Sequence, residues 1–405
     1  MKKLYLFIGT FFILLLTACA STTQRSSFDQ ILLNENWIQK INTNPDIFVK
    51  HADPWFLSGS ANGIENSVKD MPYSSAISML KVRVPNFTNL TVNGPFQVQI
   101  VPTKTRNKVS VIGPNNQVRQ LMFSVNGNTL NIAVPKDAPI NCNNVIVRIE
   151  MRELNQLINS GPGDVLGRNI ATSHLKISAY GSGHIYLVGR MNVTNISHFG
   201  SGCIVLIGAD TPCLIVKIIG NGNLNISGRV GLQTLNQTGN GYVNIIGLDS
   251  NSLNIGASGA GKISLAGYAK VKNVVAVDSS QIYLYWVLTD DLHIIGRNNA
   301  RIALAGCAEN LDINLSDNAQ FLGKYLHANQ VYVRTADASH ANVSAARRIY
   351  AAASGNSGIY FYGSPTIISR YVSGQSAIVP VWKDMAVPEV LPSPPPSAYM
   401  NRPLK

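Results

Sequence analysis

The sequence predicts an all-β protein whose second half is a parallel β-helix of about 19–20 residues per coil, entered through an N-terminal cap of β-strands. Three observations carry this prediction. A short corner, Gly-(Ser/Asn)-Gly in its clearest copies, recurs through the second half of the 405-residue chain. Apolar residues alternate with period two on both sides of each corner. Neither a helical pattern nor an Asn-Gly hairpin turn separates one corner from the next.

The corner comes first. Its first position falls at Gly161, Gly181, Gly200, Gly220, Gly239, Gly259, Asp278, Asn298, Asp317, Asp337 and Gly355, in steps of 18 to 20 residues. Glycine, asparagine and aspartate enter the left-handed backbone region most readily, as a tight bend between strands requires. The third position is Gly, Ser or Ala in every copy, so backbone can approach there. Gly181, Gly200, Gly220, Gly239 and Gly259 are the structural corners that define the array. A second glycine closes the strand after each: Gly189, Gly208, Gly228, Gly247 and Gly267.

The strands follow from the alternation. After the corner stand Ile185/Leu187, Leu224/Ile226, Val243/Ile245, Ile263/Leu265 and Ile282/Leu284; before it stand Leu175/Ile177, Leu214/Val216, Leu253/Ile255 and Leu292/Ile294. Such a pattern describes a strand with one buried face. Read this way, each coil has two strands. One coil cannot bury its apolar face alone, whereas stacked coils bury a continuous core.

The N-terminus reads as an export signal. Lys2-Lys3, an apolar run from Leu4 to Leu16 and the end Leu16-Thr17-Ala18-Cys19 make residues 1–18 a signal peptide. The run is too short for a comfortable transmembrane span. Leu-x-Ala-Cys resembles the bacterial lipobox, and that resemblance implies cleavage before Cys19, a diacylglycerol on its thiol and an acyl chain such as palmitate on its amine. Ala20 is not Asp, so the familiar inner-membrane retention signal is missing, and resemblance to diderm lipoproteins implies an outer-membrane lipoprotein on its periplasmic or surface face. The competing reading is a plain secretory signal with an incidental cysteine.

Residues 19–81 read as a tether or accessory segment, with a short helix near Phe28 to Ile41. Residues 82–150 hold strands that cap the solenoid: Phe87 to Val92, a turn at Asn93-Gly94-Pro95, Phe96 to Ile100, Val109 to Ile112, Leu130 to Val134 and Val145 to Ile149. The β-helix occupies 151–382, and 383–405 is a Pro-rich tail with Pro394-Pro395-Pro396.

Composition agrees with export. Only 13% of residues are charged, and the net charge of +12 falls to +10 once Lys2 and Lys3 are removed (12 − 2). That balance favours anionic partners such as lipopolysaccharide or host glycans. Nucleic acid is not expected as a partner, because no dense basic run is interleaved with aromatics. The spacing of Cys142, Cys203, Cys213 and Cys307 implies neither a bridge nor a zinc site, so buried or free thiols are expected.

The order of elements resembles a known family. Phe87-x-x-Leu90-x-Val92-x-Gly94-Pro95-Phe96-x-Val98-x-Ile100, then Val125-Asn126-Gly127-Asn128-Thr129-Leu130-Asn131-Ile132, the Gly-Ser-Gly coils and Ile359-Tyr360-Phe361-Tyr362-Gly363-Ser364-Pro365 are similar to the auto-transporter adhesin head GIN domain, DUF2807, over residues 82–380. The resemblance implies an exported, often lipid-anchored, right-handed parallel β-helix with no established biochemical role. This chain departs from it by having more coils and by losing the corner glycines between Asp278 and Asp337.

Catalysis by a β-helix needs clustered carboxylates, or a base beside acidic metal ligands. The outward column beginning His184, Cys203, Asn223, Tyr242, Lys262, Gln281, Arg301 holds no carboxylate, and Asp290-Asp291 reads as the start of a turn. His174, His184 and His198 fall at different places on the coil. No catalytic residue, metal or cofactor is therefore expected. Tyr283, Tyr285, Trp286, Tyr360 and Tyr362 are candidate glycan or partner contacts, with packing of strand tyrosines as the competing reading. The expected function is a lipid-anchored, non-enzymatic envelope protein for adhesion or for scaffolding an envelope complex, held to the membrane by its N-terminal lipid and meeting a glycan, lipopolysaccharide or envelope protein. The alternative is a carbohydrate-active β-helix enzyme acting on polysaccharide.

Overall fold

A computed structural model describes residues 77–135 and 142–381. The chain is a nearly all-β parallel β-solenoid of about 12 turns, 72% strand and 1% helix. Cys19, the signal peptide, the expected helix at Phe28 to Ile41 and the Pro-rich tail lie outside the described residues. Two compact units divide the chain. One comprises residues through Thr172 with Tyr180–Arg190 and Gly202–Leu206; the other comprises Ser173–Ala179, Met191–Ser201 and the chain from Ile207 on.

In the first unit, β2 (Asn89–Asn93) pairs in parallel with β6 (Thr129–Ala133) on one edge and β8 (Gln156–Asn159) on the other. Likewise β3 (Gln97–Pro102) lies between β7 (Ile146–Met151) and β9 (Val165–Ala179). The first coil of the sequence is thus sandwiched between the second and the third. Leu90, Val92, Val98, Ile100, Leu130 and Ile149 are its buried floor. The outer edge is covered by antiparallel strands. These are β5 (Met122–Asn126) in a hairpin with β6, β4 (Lys108–Pro114) on β7, and β1 (Ile77–Val82) on β4; a single turn, α1 (Asn115–Val118), follows β4. Antiparallel pairing closes an edge that would otherwise template association, so an N-terminal β cap is present. Of the strands expected to form it, however, only Val109 to Ile112 does; Phe87 to Val92, Phe96 to Ile100, Leu130 to Val134 and Val145 to Ile149 pair in parallel as coils. β5 was not legible as a strand because it buries no side chain and exposes alternate ones, Met122 by 54%.

In the second unit, β12 (Asn223–Thr238), β13 (Tyr242–Ser258), β14 (Lys262–Ala276), β15 (Gln281–Gly296), β16 (Arg301–Leu315), β17 (Gln320–Thr335) and β18 (His340–Ala353) each pair in parallel with the next. β19 (Gly358–Tyr362) and β20 (Thr366–Val372) both stack on β18, and β21 (Ala377–Pro380) stacks on β19.

One strand shows how a coil is built. In β14, Ile263 and Leu265 are buried, the chain bends at Gly267, Ala269 and Val271 are buried, exposed Lys272 and Asn273 shift the alternation, and Val274 and Ala276 are buried. Each coil therefore has three inward faces, not the two expected. The middle face escaped notice because small or hydroxylated residues such as Ala209, Thr211, Ala269 and Thr289 interrupt its large apolar ones, among them Val230, Leu232 and Val271. Thr289 Oγ1 donates to Val271 O at 2.9 Å and Thr211 Oγ1 to Val193 O at 2.8 Å. These bonds to the preceding coil remove the cost of burying a hydroxyl. Each fully buried Leu or Ile on the other faces contributes about 1.5–3 kcal/mol.

The corner residues divide into two kinds. Gly220, Gly239, Gly259, Asp278, Asn298, Asp317, Asp337 and Gly355 have positive φ, and Gly374 adds a further corner of the same kind. The expectation of a left-handed bend fails at Gly161, Gly181 and Gly200, which have none. Gly181 is needed there for space instead, because a Cβ would lie 2.1 Å from Gly161 O.

The third corner position has two solutions. Gln237 Nε2 reaches up from the core to Gly241 O, and Asn159 Nδ2 reaches Gly163 O at 3.0 Å. A Cβ on Gly261, in the coil above, would meet Gln237 Nε2 at 2.4 Å, so the long core side chain requires the glycine. Where the core residue is small and apolar, as at Ala276, a serine takes over: Ser280 Oγ donates to Val277 O at 2.8 Å.

Cys142 and Cys203 are buried, Cys307 is half-buried and Cys213 is exposed. Cys142, Cys213 and Cys307 are not disulfide-bonded. Burial pushes the thiols of Cys142 and Cys307 up, which keeps them protonated and unreactive. Among the described residues, no group of three or more His, Cys, Asp and Glu is placed to hold a metal, and no helix is long and apolar enough to cross a membrane.

Candidate binding face

The strands after each corner present outward columns set by parallel register. One column runs Tyr242, Lys262, Gln281, Arg301, Gln320 and His340. The next, two residues on, runs Asn225, Asn244, Ser264, Tyr283, Ala303 and Leu322, of which Asn225, Asn244, Ser264 and Ala303 are buried. A third carries Ser227, Ile246, Ala266, Tyr285 and Ala305. None of these positions is acidic. A helix would scatter residues 20 apart, whereas stacking at about 4.8 Å per coil makes them neighbours.

Side-chain height varies sharply along the face. Tyr283 and Tyr285 stand between two low pairs, Ser264/Ala266 in the coil before and Ala303/Ala305 in the coil after. Lys262 Nζ sits 4.9 Å from the centroid of the Tyr283 ring, and the Tyr283 hydroxyl donates to Gln281 Oε1 at 3.1 Å. Burial, reinforced by Tyr283 and Tyr242, pushes the Tyr285 phenol up to about 12. It therefore stays a neutral hydrogen-bond donor throughout the physiological range. Tyr242 is also raised by burial, against a hydrogen bond with Ser264.

Trp286 occupies a column otherwise held by glycine. Gly228, Gly247, Gly267 and Gly306 bend the strand with φ of 144°, 87°, 132° and 141°, and Trp286 does so at 70°. Left-handed backbone at an indole-bearing residue costs about 1–3 kcal/mol and marks a position where the side chain is held against local preference.

The structure does not gather the candidate contacts into one cluster. Tyr283, Tyr285 and Trp286 are adjacent on β15, whereas Tyr360 and Tyr362 stand on β19, four coils or about 19 Å along the solenoid. All five are half-buried. Tyr360 lies parallel to His340 with ring centroids 6.3 Å apart, and Lys324 Nζ is 5.3 Å from the Tyr362 ring. Lys262 and Arg301 were placed in the outward column from the sequence but not named as contacts, and Lys324 was not singled out. The signal lay in the repeat itself, because Lys262 is one coil step from Tyr242 and Arg301 one coil step from Gln281.

Several solved structures are similar in outline. A "putative lipid binding protein" from Parabacteroides distasonis is 15% identical, with a TM-score of 0.27, and covers 76% of this chain and 98% of its own. A "putative adhesin" from Bacteroides fragilis is 15% identical at 0.25, with 76% and 97% covered, and one from Parabacteroides merdae is 11% identical at 0.23, with 76% and 98% covered. Likenesses this weak carry nothing about function. No curated protein matches the chain. The family profile described as "Putative auto-transporter adhesin, head GIN domain" matches residues 86–276 and 268–365, well over half of the sequence, and the chain belongs to that family, DUF2807.

Proposed function

We propose that this protein is a non-enzymatic, lipid-anchored component of the bacterial envelope that works by adhesion, using the outward face of its coils as the contact surface. The observation that carries the reading is the composition of that face in register. Tyrosine, amide, lysine and arginine side chains alternate with small residues, and carboxylates, the commonest acid–base groups of polysaccharide-cleaving sites, are missing from its columns. Membership of a family named for adhesins supports the same reading. The lipobox ending in Cys19 supports an anchor in the outer membrane.

Two measurements test it together. Protease treatment of intact cells should cleave an exposed adhesin, and complete protection would favour a scaffold inside the envelope, which pull-down from solubilised envelope would then identify by its partner proteins. Cys19→Ser should release the protein from membranes, and persistent attachment would remove the lipid anchor from the proposal. Turnover of a polysaccharide, abolished by one substitution on a coil, would replace adhesion with catalysis.

A further inference from the structure

We propose that the outermost end of the first unit docks on the anionic phospholipid headgroups of the membrane that holds the lipid anchor. Cations around the β3–β4 turn meet the phosphates, and Met79, Leu80 and Met122 enter the headgroup layer. The docking rests on the lipid-anchored reading above and gives that membrane a second contact.

Strand order defines this end. On one face the order is β1–β4–β7–β3–β9 and on the other β5–β6–β2–β8, so β1 and β5 are the outermost strands among the described residues. β1 is also the first described element, so the chain that runs on from Cys19 enters the fold at this end.

Positive charge collects there. Residues 77–135 carry six lysines and arginines and no aspartate or glutamate. Lys104 and Arg106 lie in the turn between β3 and β4, and Lys108 opens β4. Lys81 pairs with Ser110 and Val82 with Val109, so antiparallel register brings Arg83 level with Lys108. Arg152 joins the group, donating from Nε to Thr105 O at 2.9 Å. Among the described residues before Asp164 the only acids are Glu150, which meets Lys108 at 3.6 Å and Arg148 at 3.8 Å, and Glu153. Lys81, Arg83, Lys104 and Arg106 are exposed and form no ion pair with a described residue. Lysine point charges and arginine forks together suit phosphate.

A soluble polyanion would need charge alone. Here the outermost strands also expose large apolar side chains, Met79 by 62% and Leu80 by 45% on β1 and Met122 by 54% on β5. Met79 shares a strand face with Lys81, two residues on. Apolar side chains flanked by cations match the boundary between acyl chains and anionic headgroups. Each Lys or Arg near such a surface raises affinity about fivefold, within a Debye length of about 8 Å at physiological salt. Without the lipid, this contact is reversible by salt.

The test uses the chain from residue 20 on, which holds every described residue and no lipid. It is mixed with vesicles of phosphatidylethanolamine and phosphatidylglycerol, of phosphatidylcholine alone, and of lipopolysaccharide. The chain should sediment with the phosphatidylglycerol vesicles and not with phosphatidylcholine, and about 0.5 M salt should release it. Lys104→Gln/Arg106→Gln, at exposed turn positions, should weaken binding about 25-fold. Lys272→Gln/Arg347→Gln, the same loss of charge at exposed positions of the second unit, should weaken it about twofold at most. Met79 and Met122, open to hydrogen peroxide in the free chain, should be protected from oxidation on the vesicles.

Failure to bind phosphatidylglycerol vesicles overturns the docking surface, as do equal losses in the two double variants or methionines that oxidise as fast bound as free. Binding to lipopolysaccharide but not to phosphatidylglycerol overturns the assignment to phospholipid. If the vesicles fail while Cys19→Ser still releases the protein in cells, the docking surface is wrong and the anchor stands. If the vesicles bind while Cys19→Ser stays attached through a high-salt wash, the anchor is wrong and the docking surface stands.

Discussion

Asp317 Oδ2 accepts a hydrogen bond from the backbone N–H of Asn298, 19 residues earlier and one coil away, at 3.1 Å. The same device repeats up and down the column: Asp278 Oδ2 takes the N–H of Gly259 at 3.0 Å, and Asp337 Oδ2 that of Asp317 at 3.2 Å. Where glycine leaves the corner, aspartate both tolerates the left-handed bend and caps the bend beneath it. The Asn298 N–H, then Ser316, hold the Asp317 carboxyl below the usual carboxylate range, with a smaller contribution from Arg297. A group whose pKa is lowered by folding stabilises the fold above its unfolded value, and that contribution is lost as pH falls through the folded value. Melting temperature should therefore drop as pH falls from about 4 toward 2. Asp317→Asn, which keeps a short acceptor that tolerates left-handed backbone, should flatten that dependence. Identical acid profiles for the two proteins would refute the assignment.

Close approach and backbone freedom separate at two glycines. Gly181→Ala places a Cβ 2.1 Å from Gly161 O, and the clash is with backbone that cannot swing aside. Gly127 has φ of 57° in the β5–β6 turn and no atom within 4 Å of the added Cβ. Denaturant unfolding should show a loss of about 1–2 kcal/mol for Gly127→Ala and about 3 kcal/mol or more for Gly181→Ala. The opposite order would contradict the packing described for the corner.

Trp286 yields an inverted expectation. Ordinarily Trp→Gly is more damaging than Trp→Ala, because glycine adds backbone entropy to the unfolded chain. At φ of 70°, in a column where neighbouring coils use glycine, Trp286→Gly should be the more stable variant by about 1 kcal/mol. Thermal melts of the two variants decide it, and an alanine variant as stable as the glycine variant would show that the bend carries no strain.

Gln237 is fully internal, and its Nε2 satisfies Gly241 O. Gln237→Leu leaves that buried carbonyl without its donor, at a cost of about 1–3 kcal/mol. Gln237→His should cost less, because His198, 39 residues earlier, occupies the matching place beneath Gly222. Equal stability of the leucine variant would mean that the carbonyl finds another donor.

Much of the architecture was readable in advance because its requirements are local. A tight corner needs Gly, Asn or Asp, and a half-buried strand needs alternate apolar residues, so Asp278 and Asp337 could be recognised as corners even after the glycines disappeared. The middle inward face was missed because Ser250 and Thr289 are polar and Ala269 is small, which breaks the apolar pattern that Val230, Leu232 and Val271 would otherwise show. Burial of the Ser250 and Thr289 hydroxyls depends on carbonyls in the preceding coil, which no sequence window contains. Whether the candidate tyrosines meet one another was not legible, since that depends on how many coils separate them.

The sequence by itself determined the coil length, the residue types at each corner and the two strongest inward pairs, because each rests on backbone sterics or period-two burial within a few residues. Tertiary structure decided which residues are neighbours. Parallel register, at 19 or 20 residues per step, puts Arg301 beside Gln281 and Ala303 beside Tyr283. It also lays the second coil outside the first, on the opposite side from the third, and forces Trp286 into a bend suited to glycine. These relationships join residues far apart along the chain, and only the stacking of one coil's hydrogen bonds on the next brings them within reach.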